Sequence, residues 1–446
     1  MKQAVLERKT PMATILSEEA KQRGIRYFLI SYVDLFGTNR AKLVPAAAID
    51  GMVKSGAGFA GFASWLDLTP AHPDVNAVPD PDSLIQLPWK PEVGWLAADL
   101  HMGGKILPQG PRNVLKKMKK ASEEKGITLK TGVEPEFFLL DSSGTLIGDT
   151  LDTSSKPCYD QGALMRRYDV ISEICDYMTA LGWGPYQNDH EDGNGQFEMN
   201  WNYADALVTA DRTTFFKYMV RTIAEKHGLR ATFMPKPFLN RTGSGCHMHM
   251  SLWNGESNLL DDPDDSRGLG LSALGYHFIS GLMECSDALC AITNPTVNSF
   301  KRIIAPPGLS GSTWAPNTVT YAGDNRTHMI RVPAGGRMEI RLPDNAANPY
   351  LLPAAILAAG LYGIETKGDP GEPLDIDMYR DAAKLDNVRR LPGNLLDALR
   401  ALKGSEVIRA AFGPDVVDSY VKLRQREWDE YMYHLTDWER QQTLDC

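Results

Sequence analysis

The sequence predicts an α+β protein: a small β-rich N-terminal part, then a larger unit in which strands and helices interleave. Three observations predict it. Residues 26–34 (RYFLISYVD) are rich in aromatic and β-branched side chains, and a Gly37-Thr38-Asn39 turn leads into 41–45, the pattern of a β-hairpin. Residues 129–140 again read as a strand. Helical spacing follows, at Val170, Ile171, Ile174, Met178 and Leu181 within 165–181, and again across 204–227. No internal period or low-complexity tract is present, which excludes a solenoid.

Between these elements, residues 66–91 (LDLTPAHPDVNAVPDPDSLIQLPWKP) are dense in proline and aspartate and predict an ordered loop with short strands. Gly and Pro cluster again at 103–112. There Pro111 is placed as the first residue of a helix that Gly126 ends. A boundary near 108 divides the chain into an N-terminal extension with a first helix (1–20), a small β domain (21–108) and a larger α+β unit (109–446). The most apolar window, 350–364, falls short of the roughly 20 residues that a bilayer requires and contains a proline, so it predicts a buried core helix.

Composition narrows the function classes. The chain of 446 residues is 43% hydrophobic and 23% charged, that of an ordinary globular protein. Its net charge of −9 lacks the basic surplus that nucleic acids or anionic membranes attract, so neither is expected as a partner. Six scattered cysteines without a CxxC pair suit a reducing compartment. The first twelve residues lack an apolar signal-peptide core, and a cytoplasmic location is expected.

Four segments carry charge in patterns that suggest chemistry. In GVEPEFF (132–138), Glu134 and Glu136 project from one face of a strand, where two like charges call for a cation. An edge strand with a solvated acidic face satisfies the same pattern. HEDGNGQFE (190–198) sets Glu191 and Glu198 on either side of a glycine turn. GSGCHMH (243–249) places His247 and His249 on one strand face, and RMEIR (337–341) alternates Arg337, Glu339 and Arg341. Singly, each is satisfied by packing or ion pairing. Together, five glutamates with one or more imidazoles form an oxygen-rich donor set that suits Mg²⁺ or Mn²⁺, with room for two ions. Arg302, Arg326, Arg331, Arg337 and Arg341 add planar forks for carboxylate and phosphate, which points to phosphoryl transfer from a nucleotide. Neither GxxxxGK[ST] nor a helix-opening GxGxxG is present, so a P-loop enzyme and a Rossmann dehydrogenase are excluded.

GVEPEFF, ATFMPKP (231–237), GSGCHMH, NPTVNSFKR (294–302), NRTHMIRVP (325–333) and MEIRLPDNAANPYL (338–351) occur in the order found in the glutamine synthetase superfamily, which the chain resembles over nearly its whole length. The resemblance implies a small N-terminal β-grasp domain and a catalytic domain built on a curved antiparallel sheet flanked by helices. It also implies homo-oligomeric stacked rings with active sites between subunits. The implied reaction has two steps: ATP phosphorylates the γ-carboxylate of L-glutamate, and an amine displaces phosphate to leave an amide and ADP. Carried over by motif, Glu136, Glu191 and Glu198 would hold one metal and Glu134, His247 and Glu339 another. Gly243 and Arg302 would hold the glutamate backbone and Arg341 its γ-carboxylate. His249, Ser251, Arg326, Arg331 and Arg337 would contact the nucleotide, Arg326 and Arg341 also serving catalysis.

The departures from the family pattern concern the amine. Ammonia-using members carry an aspartate in an N-terminal loop that reaches the neighbouring site, and here the loop reads GFAGFAS (58–64), with Ala60 in that place. Their flap carries a glutamate before Ala-Pro, and here Trp314 precedes Ala315-Pro316, with no acid anywhere in 303–316. An apolar pocket of Ala60, Phe62 and Trp314 favours methylamine, since a buried methyl group contributes about 0.8 kcal/mol and an indole face attracts methylammonium. The expected activity is therefore ligation of methylamine to glutamate, as in the methylamine-using branch also labelled type III glutamine synthetase. Ammonia, ethylamine or putrescine as the amine, and a silent structural relative, are the alternatives. Asp189 or Asp74 is the expected base for the amine. Thr242 replaces an asparagine beside Gly243, and Ala334 stands where a nucleotide-contacting lysine is often found.

Overall fold

The computed structural model describes residues 16–306, 313–333 and 336–446. The first fifteen residues of the N-terminal extension, the middle of the 303–316 flap and Ala334 lie outside the described residues.

The predicted hairpin forms from Tyr27–Val33 and Asn39–Pro45, antiparallel, with Val33 opposite Asn39. Buried Asp34 pins its turn by accepting hydrogen bonds from the Phe36 and Thr38 backbone N–H groups at 3.0 and 3.1 Å and from Arg40 Nε at 3.0 Å. The hairpin joins a seven-stranded sheet whose order is Asn39–Pro45, Tyr27–Val33, Val93–Met102, Val75–Pro79, Ala57–Phe59, with two short strands paired to Val93–Met102. The proline-rich stretch supplies two of these strands, Val75–Pro79 and Ile85–Gln86.

Strand Val93–Met102 has two sides. Leu96, Ala98 and Leu100 join the small N-terminal core, while Val93, Trp95 and Ala97 face the large core of the rest of the chain. Beyond it, Pro111 opens the helix Pro111–Glu123, and Gly126, at φ +74°, turns the chain after it.

The second sheet has ten strands, in the order Tyr321–Ala322, Ile330–Arg331, Met338–Ile340, Cys246–Asn254, Thr128–Leu140, Gln196–Trp201, Pro185–His190. Among these seven all neighbours are antiparallel except the first two. The strand bearing Glu134 and Glu136 is central, paired with Cys246–Asn254 on one side and Gln196–Trp201 on the other, so the edge-strand alternative fails. Pro135, which has no N–H to donate, is tolerated there because the pairing with Gln196–Trp201 ends at the neighbouring Glu136–Glu198 pair.

Two further expectations are refined. The helical run over 165–181 divides at Arg167 into Gln161–Arg166 and Tyr168–Ala180, and the latter buries Val170, Ile171, Ile174 and Met178. The apolar window forms Leu351–Thr366, buried over most of its length, and no helix among the described residues is long and apolar enough to cross a membrane.

Candidate functional site

A single rule of alternation builds the site. Val133, Phe137 and Leu139, with Met248, Met250, Phe197, Met199, Met338 and Ile340, turn into the core beneath the ten-stranded sheet. Period-two geometry then sends Glu134, Glu136, His247, His249, Gln196, Glu198, Asn200 and Glu339 to the opposite face. Register completes the cluster: His247 lies opposite Glu134, His249 opposite Glu339, and Glu198 between Glu136 and Asp189. Of these, Glu134, Glu136, Asp189, Glu198, Asn200, His247 and His249 line a cleft of about 250 Å³ together with Glu191, Trp314, Arg326, Arg331, Arg337 and Arg341, while Gln196 and Glu339 lie just behind its wall.

Contacts within the cleft refine the expected ligand sets. His249 Nε2 lies 2.9 Å from Glu134 Oε1, and His247 Nδ1 stands 3.6 Å from both Glu134 and Glu339. Donor atoms close enough to share an ion fall into three groups: Glu134, His249 and Glu339; Glu134, Glu198 and His247; and Asp189, Glu191 and Glu198. His249, expected on the nucleotide, thus sits among the carboxylates. Asp189, expected as a base, stands with Glu191 and Glu198. Glu136 belongs to none of the three groups; its Oε2 accepts from Gln196 Nε2 at 3.0 Å and from the Gly245 N–H at 2.9 Å, while its Oε1 faces His247 Nδ1 at 3.9 Å.

The cluster of like charges is held at an electrostatic cost. Burial, reinforced by Glu136 and the neighbouring acids, pushes Glu191 and Glu198 well above the ordinary carboxylate range. Burial, with Glu136 and Glu134, raises Asp189 to about 6, and its Oδ1 is buried without a hydrogen-bond partner. Glu134 is half-buried, but the imidazoles of His247 and His249 outweigh the cost of burial and hold it well below the ordinary range. Oxygen donors with an imidazole, crowded carboxyls whose charge is disfavoured for want of a counter-charge, and an orphaned carboxylate oxygen all fit divalent cations of the Mg²⁺ type.

The arginines divide by state. Glu339 is fully buried and clamped by Arg331 Nη1 at 2.8 Å and Arg341 Nη1 at 2.5 Å, so these two forks are engaged within the chain. Arg326 and Arg337 reach the cleft from exposed positions. Arg302 lies behind it, buried, with Nη1 donating to Leu342 O at 3.0 Å. The Gly243–Gly245 loop passes so close that a Cβ at Gly245 would stand 2.9 Å from Arg302 Nη2 and 2.8 Å from His247 Nε2, and one at Gly243 would stand 2.8 Å from Arg302 Cγ.

Trp314 lines the cleft, and its Nε1 donates to Asp192 Oδ2 at 2.8 Å. The same oxygen accepts from Thr242 Oγ1 at 3.1 Å, which gives the Thr242 departure a structural role. Ala60, Phe62 and Asp74 are exposed on the N-terminal part, and none lines the cleft of its own chain. Ser251 lines a second cavity of about 370 Å³ that shares Glu134, Tyr186, His249 and Arg337 with the cleft. There Lys130 Nζ stands 4.0 Å from the Trp253 ring. Sequence reasoning missed Trp253, Tyr203, Tyr186, Gln196 and Asn200. The signal for the last two was available, since they share the alternation that exposes Glu198.

Carboxylates and imidazoles able to hold divalent cations, rimmed by arginines and beside an aromatic cavity, are the equipment of an enzyme that transfers phosphoryl groups. Residues 108–443 match the family model described as "Glutamine synthetase, catalytic domain". A glutamine synthetase of Rhizobium meliloti is 59% identical over 97% of this chain and all of its own length. A glutamate–methylamine ligase of Methyloversatilis universalis is 46% identical over 94% of this chain and 96% of its own. A solved structure described as a GmaS/ADP complex superposes with a TM-score of 0.93 at 59% identity, covering 97% of this chain and 99% of that one. The chain belongs to the glutamine synthetase family, and is an ATP-dependent carboxylate–amine ligase of α+β fold.

Proposed function

We propose that the chain joins methylamine to the γ-carboxylate of L-glutamate through γ-glutamyl phosphate, giving γ-glutamylmethylamide, ADP and phosphate. One observation carries the choice of amine: the indole of Trp314, in the place of a flap carboxylate, lines the carboxylate cleft. A methylammonium gains contact with that face, while ammonium loses an anionic partner. The likeness to a glutamate–methylamine ligase and to GmaS supports the same reading.

In this reading the cavity of Trp253, Tyr203 and Ser251 takes the adenosine, which directs the phosphates toward His249 and Arg337. A γ-carboxylate oxygen of glutamate attacks the terminal phosphorus and ADP leaves. Divalent cations, two in the full site, when bound by the carboxylate groups, neutralise charge on the transferring phosphoryl group. Arg326 and Arg337 supply further cationic donors at the rim, and Arg341, released from Glu339, turns to the γ-carboxylate. The amine nitrogen then attacks the acyl carbon, phosphate leaves, and Asp189 takes the proton. Ala60, Phe62 and Asp74 enter a neighbouring copy's site in a ring assembly, which accounts for their exposure here.

The test is phosphate release with ATP, Mg²⁺ and glutamate, comparing methylamine and ammonium. Methylamine is expected to give the higher kcat/KM, and Trp314→Glu to shift the ratio toward ammonium. The name borne by the 59% identical rhizobial relative favours ammonia as the second reading, and a higher kcat/KM for ammonium would establish it.

A further inference from the structure

Away from the acidic cleft, and sharing no lining residue with it, lies a pocket of about 630 Å³ between the N-terminal hairpin turn and the helix Ala206–Lys226. We propose that it binds a small organic dianion, a dicarboxylate or a phosphate ester, held by Lys217 and Arg221.

Lys217 and Arg221 stand one helical turn apart, so both project into the pocket and repel one another. Both approach the ring of Phe233 on the facing wall, Lys217 Nζ at 5.9 Å and Arg221 Cζ at 5.2 Å from its centroid. Lys217 Nζ donates to Asn345 O at 2.6 Å, and neither cation forms an ion pair among the described residues. Arg230 adds a third positive charge to the lining, and Glu225 is its one carboxylate, which leaves a surplus of two.

Arg221 presents its guanidinium from an exposed position, whereas Lys217 beside it is half-buried and pairs with no anion among the described residues. Burial pulls Lys217 down to about 8, with Arg221 adding to the depression and Cys246 and Asp344 opposing it. An anion seated between them removes the repulsion and the cost of holding the Lys217 ammonium half-buried without a counter-charge. The pocket falls in the size range of small-metabolite sites, and Thr38 and Thr232 are among its lining residues. Because Thr38 belongs to the N-terminal hairpin turn, a bound dianion ties that turn to the catalytic unit.

The test is thermal unfolding of the full chain with succinate or inorganic phosphate against chloride at equal ionic strength. For the wild type a saturable rise of about 2 °C or more is expected with at least one dianion. The stronger of the two identifies carboxylate or phosphate as the favoured group. Arg221→Gln should abolish the rise, as should Lys217→Met where it folds. Glu134→Gln, in the catalytic cleft, should keep it. An equal rise in Arg221→Gln, a loss of the rise in Glu134→Gln, or no saturable rise in the wild type, overturns the proposal.

Discussion

Asp152 is the residue whose removal tests how the acidic cleft is held in shape. Only 4% exposed, it accepts hydrogen bonds from His190 Nε2 at 2.7 Å, the Gly195 N–H at 2.6 Å and Asn194 Nδ2 at 2.9 Å. These three donors flank or form the turn that joins Glu191 to Glu198, yet Asp152 itself lines no part of the cleft. Asp152→Ala orphans all three. At about 1–3 kcal/mol for each buried donor, offset by water entering the vacated space, the loss is about 3–5 kcal/mol. For a chain of this length that lowers the melting midpoint by about 3–5 °C. The turn also loosens, and the half-activating Mg²⁺ concentration should rise about 10- to 100-fold, as when partners that orient metal ligands are removed. Calorimetry and Mg²⁺ titration of phosphate release read the two effects separately. A fall in stability with unchanged Mg²⁺ dependence would refute the claim that Asp152 positions the acids.

Further outcomes follow from the same geometry. Glu191, Glu198 and Asp189 have folded-state pKa values raised by burial, so their contribution to stability is full below the unfolded carboxyl range and is lost as pH rises through their folded values, about 6 for Asp189. Melting curves in EDTA should therefore fall from pH 5 to 7.5 relative to curves in Mg²⁺, and parallel curves would count against a cation at these acids. Arg326→Lys should lower kcat about tenfold or more while the KM for glutamate changes little, because the planar fork matters most as phosphate charge develops. A change in glutamate KM alone would remove Arg326 from the chemical step. Asp189→Asn should slow amide formation while glutamate-dependent ADP release persists, and unimpaired amidation would exclude it as the base.

Much of this site was legible because strands alternate. Once Val133, Phe137 and Leu139 are assigned to the core, Glu134 and Glu136 must face the other way, and the same holds for His247 and His249 around Met248. What one strand cannot state is its partner's register. The pairing of His249 with Glu134, and the diversion of Glu136 to Gln196 and the Gly245 N–H, depend on contacts between residues 60 or more apart in sequence. Asp152 was hidden for the same reason. It lies in a stretch without periodicity and acquires its role only when His190 and the 194–195 turn fold against it. Helix boundaries were legible where proline and glycine mark them, as at Pro111 and Gly126. The division at Arg167 was not, since the apolar spacing that signals burial runs on beyond it.

The two-sided strand Val93–Met102 bears on how the chain is made. As synthesis proceeds from the N-terminus, the small sheet can close over Leu96 and Leu100, but Trp95 must wait for Phe215, against which its ring packs at 5.6 Å and which emerges about 120 residues later. At about 5–20 residues per second, an indole and its apolar neighbours stay uncovered for roughly 6–24 s, long enough to be sampled by chaperones or by other nascent chains. The hazard in producing this protein therefore lies in the interval before its middle helix arrives, and slower translation through residues 100–215 would lengthen it.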